Sequence, residues 1–173
     1  MKLVLIFDQI QAGAGGKEHA NEVLHAKSGP IGSAKMFASI FEELGISVIG
    51  TIYCGTAYYE EHQEDVQKKV VAMIKKLNPD AVLCGPAFNY EGYAKMAAEL
   101  TLQIQKVNDI AVVAACSQEN ETVIHEYKDK IHIVKMPKKG GIGLTDSLKN
   151  MTTLLDKMFK KEDVNSLIES TCY

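Results

Sequence analysis

The sequence predicts an open, mostly parallel α/β sheet of five strands with helices on both faces, flavodoxin- or Rossmann-like in architecture. Three observations carry this. Strand-like and helix-like segments alternate roughly five times along the chain. The strand segments are nearly all apolar, as parallel strands covered on both faces must be. The length of 173 residues suits one domain with a sizeable core.

The elements follow in order. Residues 2–7 (KLVLIF) form a short apolar run stopped by Asp8, hence a buried strand. Residues 8–32 show no sustained periodicity. They read as a site-covering loop, because unstructured stretches beyond about 12–15 residues in a compact domain are usually functional or disordered. A helix signal begins near Ser33, after Gly29, Pro30 and Gly32. Ala34, Phe37, Ile40, Phe41 and Leu44 share one helical face, and Gly45 is a natural stop. Residues 46–53 form a second strand. "YYEEHQEDVQKKVVAMIKKLNPD" reads as one helix, acidic early and basic late, ended at Asn78-Pro79. A short third strand spans 81–83. A helix capped by Asn89 runs over 89–106, and a fourth strand spans 110–115. "TVIHEYKDKIHIVKMP" gives an irregular extended piece and then a strand at 131–134. Thr145, with Asp146 in the first turn, opens a last helix to residue 160. Residues 1–160 are thus read as one domain and 161–173 as a weakly helical or frayed tail.

Composition narrows the function. The net charge is −3, and all 19 cations are lysine, with no arginine. Nucleic acid is therefore an unexpected partner, and bidentate arginine recognition of phosphate or carboxylate is excluded within the chain. The apolar run near Met1 is too short to span a membrane, and no small-residue cleavage site follows it, so the expected location is the cytoplasm. Cys54, Cys84, Cys116 and Cys172 form no CxxC pair. They are expected to be thiols, and neither a zinc ribbon nor a metal site on the scattered histidines is expected.

"TIYCG", "AVLCG" and "VAACS" each place a cysteine at the carboxyl end of a strand, and Asp8 holds the same position after the first strand. Ligands of open parallel sheets bind beyond those strand ends. Asp8, Cys54, Cys84 and Cys116 are therefore expected along one edge, with buried packing as the competing reading for each cysteine. In "CGPAFNYEGYAKM", Gly85-Pro86 makes a tight turn after Cys84, and a helix begins near Asn89. A thiol at a helix N-terminus has a lowered pKa, which would make Cys84 the best local nucleophile. Phe88, Tyr90 and Tyr93 could wall a pocket there. The glycine stretch "QAGAGGKE" fails both nucleotide patterns, because Gln11 and Glu18 stand where a phosphate loop needs glycine and hydroxyl residues. No hydroxyl residue follows the first strand before Ser28, which weakens a flavin-binding reading. "KKGGIGLTDS" could bind an anion at the start of the last helix, with Lys138 and Lys139 solvated.

"FDQIQAGAGGKE", "GPIGSAKMF", "YCG", "KKLNPDAVLCGPAFNYEGYAKMAAEL" and "HIVKM" occur in order over residues 1–155. Together they resemble the amino-terminal domain of the large, selenoprotein B subunit of component B of the glycine, sarcosine and betaine reductases. The resemblance implies a subunit of a complex that cleaves the C–N bond of glycine or an N-methylated glycine reductively. It implies no cofactor in this chain, a pyruvoyl group on a partner subunit that captures the amine, and a small selenoprotein as a further partner. The family's selenocysteine lies in a later domain, which this sequence does not show. The resemblance thus implies a partial or accessory subunit, inactive alone. A separately encoded half, a truncated paralogue and a reading frame stopped at a misread codon all fit. Cys84, Cys54 and Asp8 are the catalytic candidates; Lys17 (for a substrate carboxylate), Glu18, Gly85, Asn89 (as an orienting group) and Tyr90 are the substrate-binding candidates. These roles follow from position. The alternative is a non-enzymatic small-molecule-binding or assembly module on a flavodoxin-like fold, and a homo-oligomer stays open in either case.

Overall fold

A computed structural model describes residues 1–107 and 109–173. Its centre is a six-stranded sheet in the order β2-β3-β1-β4-β5-β6. The strands are β1 (Lys2–Asp8), β2 (His25–Ser28), β3 (Ser47–Cys54), β4 (Ala81–Ala87), β5 (Ala111–Ser117) and β6 (Ile133–Met136). Five of them pair in parallel, as their continuous apolar runs demand. The sixth, β2, is the addition to the expected five. It pairs antiparallel with β3 at the sheet's edge, with His25 opposite Tyr53. Three of its four residues are exposed, so it lacks the apolar signature that marks the others, and the sequence hid it inside a loop.

The helices cover both faces. One face carries α2 (Thr56–Glu61), α3 (Gln63–Leu77), α4 (Glu91–Val107) and α5 (Glu121–Tyr127). Val66, Val70 and Ile74 of α3, with Met96, Leu100 and Ile104 of α4, pack there on Val4, Ile6, Val82 and Val112. The other face carries α1 (Ala38–Glu43), α6 (Leu144–Phe159) and α7 (Asn165–Thr171). Phe37, Ile40, Met151 and Leu155 pack there on Leu3, Leu5, Leu83 and Val113. Alternate residues of each strand thus serve opposite cores, the period-two consequence of the pleat. Among the described residues no helix is long and apolar enough to cross a membrane.

Several elements differ from the sequence reading. The helix expected from Ser33 begins as a 3₁₀ turn, Gly32–Phe37, before becoming α1. The long helix expected after Tyr58 breaks at His62, whose backbone leaves the helical region and whose ring packs on Tyr58 with centroids 4.5 Å apart. The third strand runs through Gly85 and Pro86 to Ala87 rather than stopping at residue 83. The piece read as irregular and extended contains α5, whose Val123 and Tyr127, four residues apart, are its buried face. The final helix starts at Leu144 after Gly143, so Thr145 lies inside it instead of capping it. The tail forms α7, and Cys172 then bridges antiparallel to Val134. Tyr173 donates its hydroxyl to the Cys116 carbonyl at 3.2 Å, which fastens the tail over β6.

Candidate functional site at the switch point of the sheet

The parallel strands β3-β1-β4-β5-β6 reverse direction of succession between β1 and β4. Open α/β sheets bind ligands over the strand ends at such a reversal. A cavity of about 370 Å³ lies there. Its walls come from four segments: the loop after β1, the turn before α1, the β4–α4 turn and the loop after β6.

Asp8, the last residue of β1, lines the cavity and is only 1% exposed. Its Oδ1 accepts the Gln11 N–H at 2.7 Å. Burial pushes its carboxyl from 3.8 up to about 6, against the smaller downward pull of backbone N–H groups, that of Gln11 foremost. The side-chain Oε1 of Gln11, also on the wall, is buried with no hydrogen-bond partner among the described residues. Ile10, Met36, Phe88 and Tyr93 make the apolar surface. Tyr93 donates its hydroxyl to the Ile6 carbonyl at 2.9 Å, so its polar end is engaged and its ring faces the cavity wall. Two cations border the space, Lys17 from the loop after β1 and Lys139 from the loop after β6.

The loop after β1 is tied down at both ends. Gln9 is fully buried. Its Nε2 donates to the Gly16 carbonyl at 3.3 Å, and its Oε1 accepts the Thr56 N–H at 3.3 Å. The Ala20 carbonyl accepts the N–H groups of Ala57 and Tyr58, at 2.9 and 3.0 Å, and so caps α2. This close approach requires Gly55, since a Cβ there would overlap the Ala20 carbonyl. Thr56 Oγ1 shares a hydrogen bond with the Tyr90 hydroxyl at 2.6 Å, and the Lys17 ammonium lies 5.7 Å from the Tyr90 ring centre. On the far side, Asn120 donates its Nδ2 to the Phe88 carbonyl at 2.9 Å and fixes the β4–α4 turn.

Of the residues singled out by sequence, Asp8, Lys17, Asn89 and Tyr90 line the cavity. Asn89 precedes the helix without capping it; the Tyr90 carbonyl takes the first helical bonds, from Tyr93 and Ala94. Glu18 points away. Its carboxyl is held below the usual carboxylate range first by a hydrogen bond from its own backbone N–H, then by the Gly16 N–H at 3.0 Å and by His19. Gly85 is buried within β4, where a Cβ would stand 2.6 Å from the Ala115 carbonyl oxygen, so it serves close strand packing.

The cysteines depart most from expectation. Cys84 pairs with Ile6, two residues behind Asp8, because β4 continues past it to Ala87. Its thiol is fully buried, and burial pushes it up to about 12, the reverse of the lowering expected at a helix N-terminus. Cys54 sits beside Asp8 in the register but turns into the core, its Sγ 3.6 Å from the Met96 sulfur. Burial and the Asp8 charge push it up to about 12, and burial does the same for Cys116. None of the three is among the cavity's lining residues. Lys139 is exposed, as expected, and it also borders the cavity. Gln9, Gln11 and Thr56 were not singled out. The two glutamines stand in "FDQIQAG", directly after the strand-end aspartate, which was an available signal; nothing local marks Thr56.

The profile of the family "Glycine/sarcosine/betaine reductase selenoprotein B" matches residues 1–172. The chain belongs to this family. Among similar curated proteins is the glycine reductase complex component B subunit gamma of Carboxydothermus hydrogenoformans, 30% identical over 95% of this chain and 37% of that protein. The sarcosine reductase complex component B subunit beta of Peptoclostridium acidaminophilum is 28% identical over 94% of this chain and 36% of that protein. The glycine reductase subunit gamma of the same organism is 36% identical over 69% of this chain and 27% of its own length. The chain thus spans little more than a third of the length of the curated relatives it matches most fully. No solved structure matches it.

Proposed function

We propose that this chain is the substrate-holding part of a component-B-type reductase, and that its cavity binds a small amino-acid zwitterion such as glycine or sarcosine. One observation carries the reading. A single cavity at the switch point of the sheet is bordered by a buried carboxylate, Asp8, and by two ammonium groups, Lys17 and Lys139. A zwitterion presents the complementary pair of charges. Its ammonium would meet the Asp8 carboxylate and satisfy the unpaired Gln11 Oε1; its carboxylate would meet the lysines. The apolar wall of Met36, Phe88 and Tyr93 tolerates N-methyl groups, which agrees with relatives named for both glycine and sarcosine.

The chain's own contribution to chemistry would be proton handling at Asp8. An amine attacks a carbonyl only after losing its proton. A carboxylate with its pKa near 6 accepts that proton more readily than a solvated aspartate. A pyruvoyl group on a partner subunit would supply the carbonyl that captures the amine, and the nucleophile for C–N cleavage would come from outside this chain, with the small selenoprotein as a further partner. The burial of Cys54, Cys84 and Cys116 supports that division of labour.

Calorimetric titration with glycine, sarcosine and betaine tests the proposal, with acetate and methylammonium as half-ligands. Glycine or sarcosine should bind, and Lys17→Met and Lys139→Met should each weaken it. Affinity should rise with pH through about 6 as Asp8 ionises. The absence of heat with all three ligands at millimolar concentration would overturn it.

A further inference from the structure

Two lines of contact leave Thr56, and both end at Lys17. Through its backbone, the Thr56 N–H reaches the Gln9 Oε1; the other end of that amide holds the Gly16 carbonyl, next to Lys17 in the chain. Through its side chain, Oγ1 reaches the Tyr90 hydroxyl, and the ring of Tyr90 carries the Lys17 ammonium at 5.7 Å. The lysine is therefore held at both its backbone and its charged end.

The helix does not need this hydroxyl. The N-terminus of α2 is already capped by the Ala20 carbonyl, and Thr56 follows Gly55 at the first helical position. The Thr56 hydroxyl bonds instead to the tyrosine on the cavity wall. A lysine side chain is flexible, and fixing it costs rotamer entropy whenever a ligand binds. A cation–π contact within about 6 Å meets part of that cost before the ligand arrives.

We propose that Thr56 is a positioning residue, which orients Tyr90 so that its ring presents Lys17 to the carboxylate of the ligand. This rests on the reading of Lys17 as a carboxylate-binding group. Thr56→Val keeps shape and backbone N–H but removes the link to Tyr90, whereas Thr56→Ser keeps it. Both are compared in the full chain, alone and combined with Lys17→Met. Two readouts are used: calorimetric titration with glycine, and the NMR shift of the Lys17 ε-methylene protons, which an aromatic face moves upfield.

Thr56→Val should weaken glycine binding roughly three- to tenfold and abolish the upfield shift, while Thr56→Ser preserves both. In the Lys17→Met background, Thr56→Val should have no further effect on binding. The proposal is overturned if Thr56→Val leaves the ε-methylene shift in place, or if it weakens glycine binding equally with and without Lys17. Should the shift vanish in Thr56→Val while glycine binds no variant and no wild type, the positioning role stands and the zwitterion reading falls.

Discussion

Asp8 carries a cost that function would explain. Its carboxyl ionises near 3.8 when unfolded and near 6 in the folded protein. The folded state therefore binds the proton more tightly, and stability falls as pH rises through that window, then levels off. Asp8→Asn keeps the acceptor for the Gln11 N–H and removes the buried charge. Relative to wild type it should gain about 2–3 kcal/mol between pH 4 and pH 7, as measured by urea unfolding at both values. A difference that stays constant with pH would mean that Asp8 is not held in this state. The same variant should lose the pH dependence of ligand affinity, which separates its role in binding from its role in folding. The cysteines make a second prediction at this scale. With Cys54, Cys84 and Cys116 raised to about 12, the native protein at pH 8 holds roughly a thousandfold less thiolate at each than a solvated cysteine would. Iodoacetamide should label them only after denaturation; rapid labelling of native Cys84 would restore it as a nucleophile.

At the scale of elements, the segment after β1 decides the site. It looks unstructured in sequence because its order comes from elsewhere. Its Ala20 carbonyl caps a helix that begins at Thr56, its Gln9 amide reaches the same residue, and its β2 pairs with β3. None of these partners is near in sequence, and periodicity reports only local order. The five parallel strands were legible because burial on both faces leaves long apolar runs; β2 and α5, short and half exposed, leave none. That Asp8, Lys17, Asn89 and Tyr90 border the cavity was legible because strand ends and turns mark themselves. Cys84 is a core thiol and not a rim group because β4 continues three residues past it, through Gly85 and Pro86 to Ala87. Gly55→Ala tests the long-range anchoring. The added methyl overlaps the Ala20 carbonyl, so the segment must release α2 or the strand end must shift. Loss of the two capping bonds should cost about 1–2 kcal/mol. Hydrogen exchange should accelerate at Ala57 and Tyr58 and leave α3 unchanged. Equal acceleration throughout would indicate general destabilisation instead.

At the scale of the whole molecule, the cavity belongs to no single element. Asp8 and Lys17 come from the β1 side, Met36 from the turn before α1, Phe88 to Tyr90 from the β4–α4 turn, Tyr93 from the start of α4, and Lys139 from beyond β6. The last is separated from Asp8 by 131 positions of chain. A ligand that bridges Asp8 and the lysines therefore ties the two halves of the sheet together, and its binding energy adds to the stability of the fold as a unit. At a hundred times its Kd, glycine or sarcosine should stabilise the protein by about 2.7 kcal/mol. That corresponds to a rise in Tm of roughly 5–10 °C for a chain of this size. The half-ligands discriminate the mechanism. Acetate engages only the lysines and methylammonium only Asp8, so each alone should stabilise weakly, and their mixture should fall short of glycine because two molecules must be immobilised instead of one. Hydrogen exchange with glycine bound should slow together at the β1 loop, the β4–α4 turn and the loop after β6. Protection confined to the β1 loop would mean that Lys139 takes no part, and the carboxylate would then be the task of Lys17 alone.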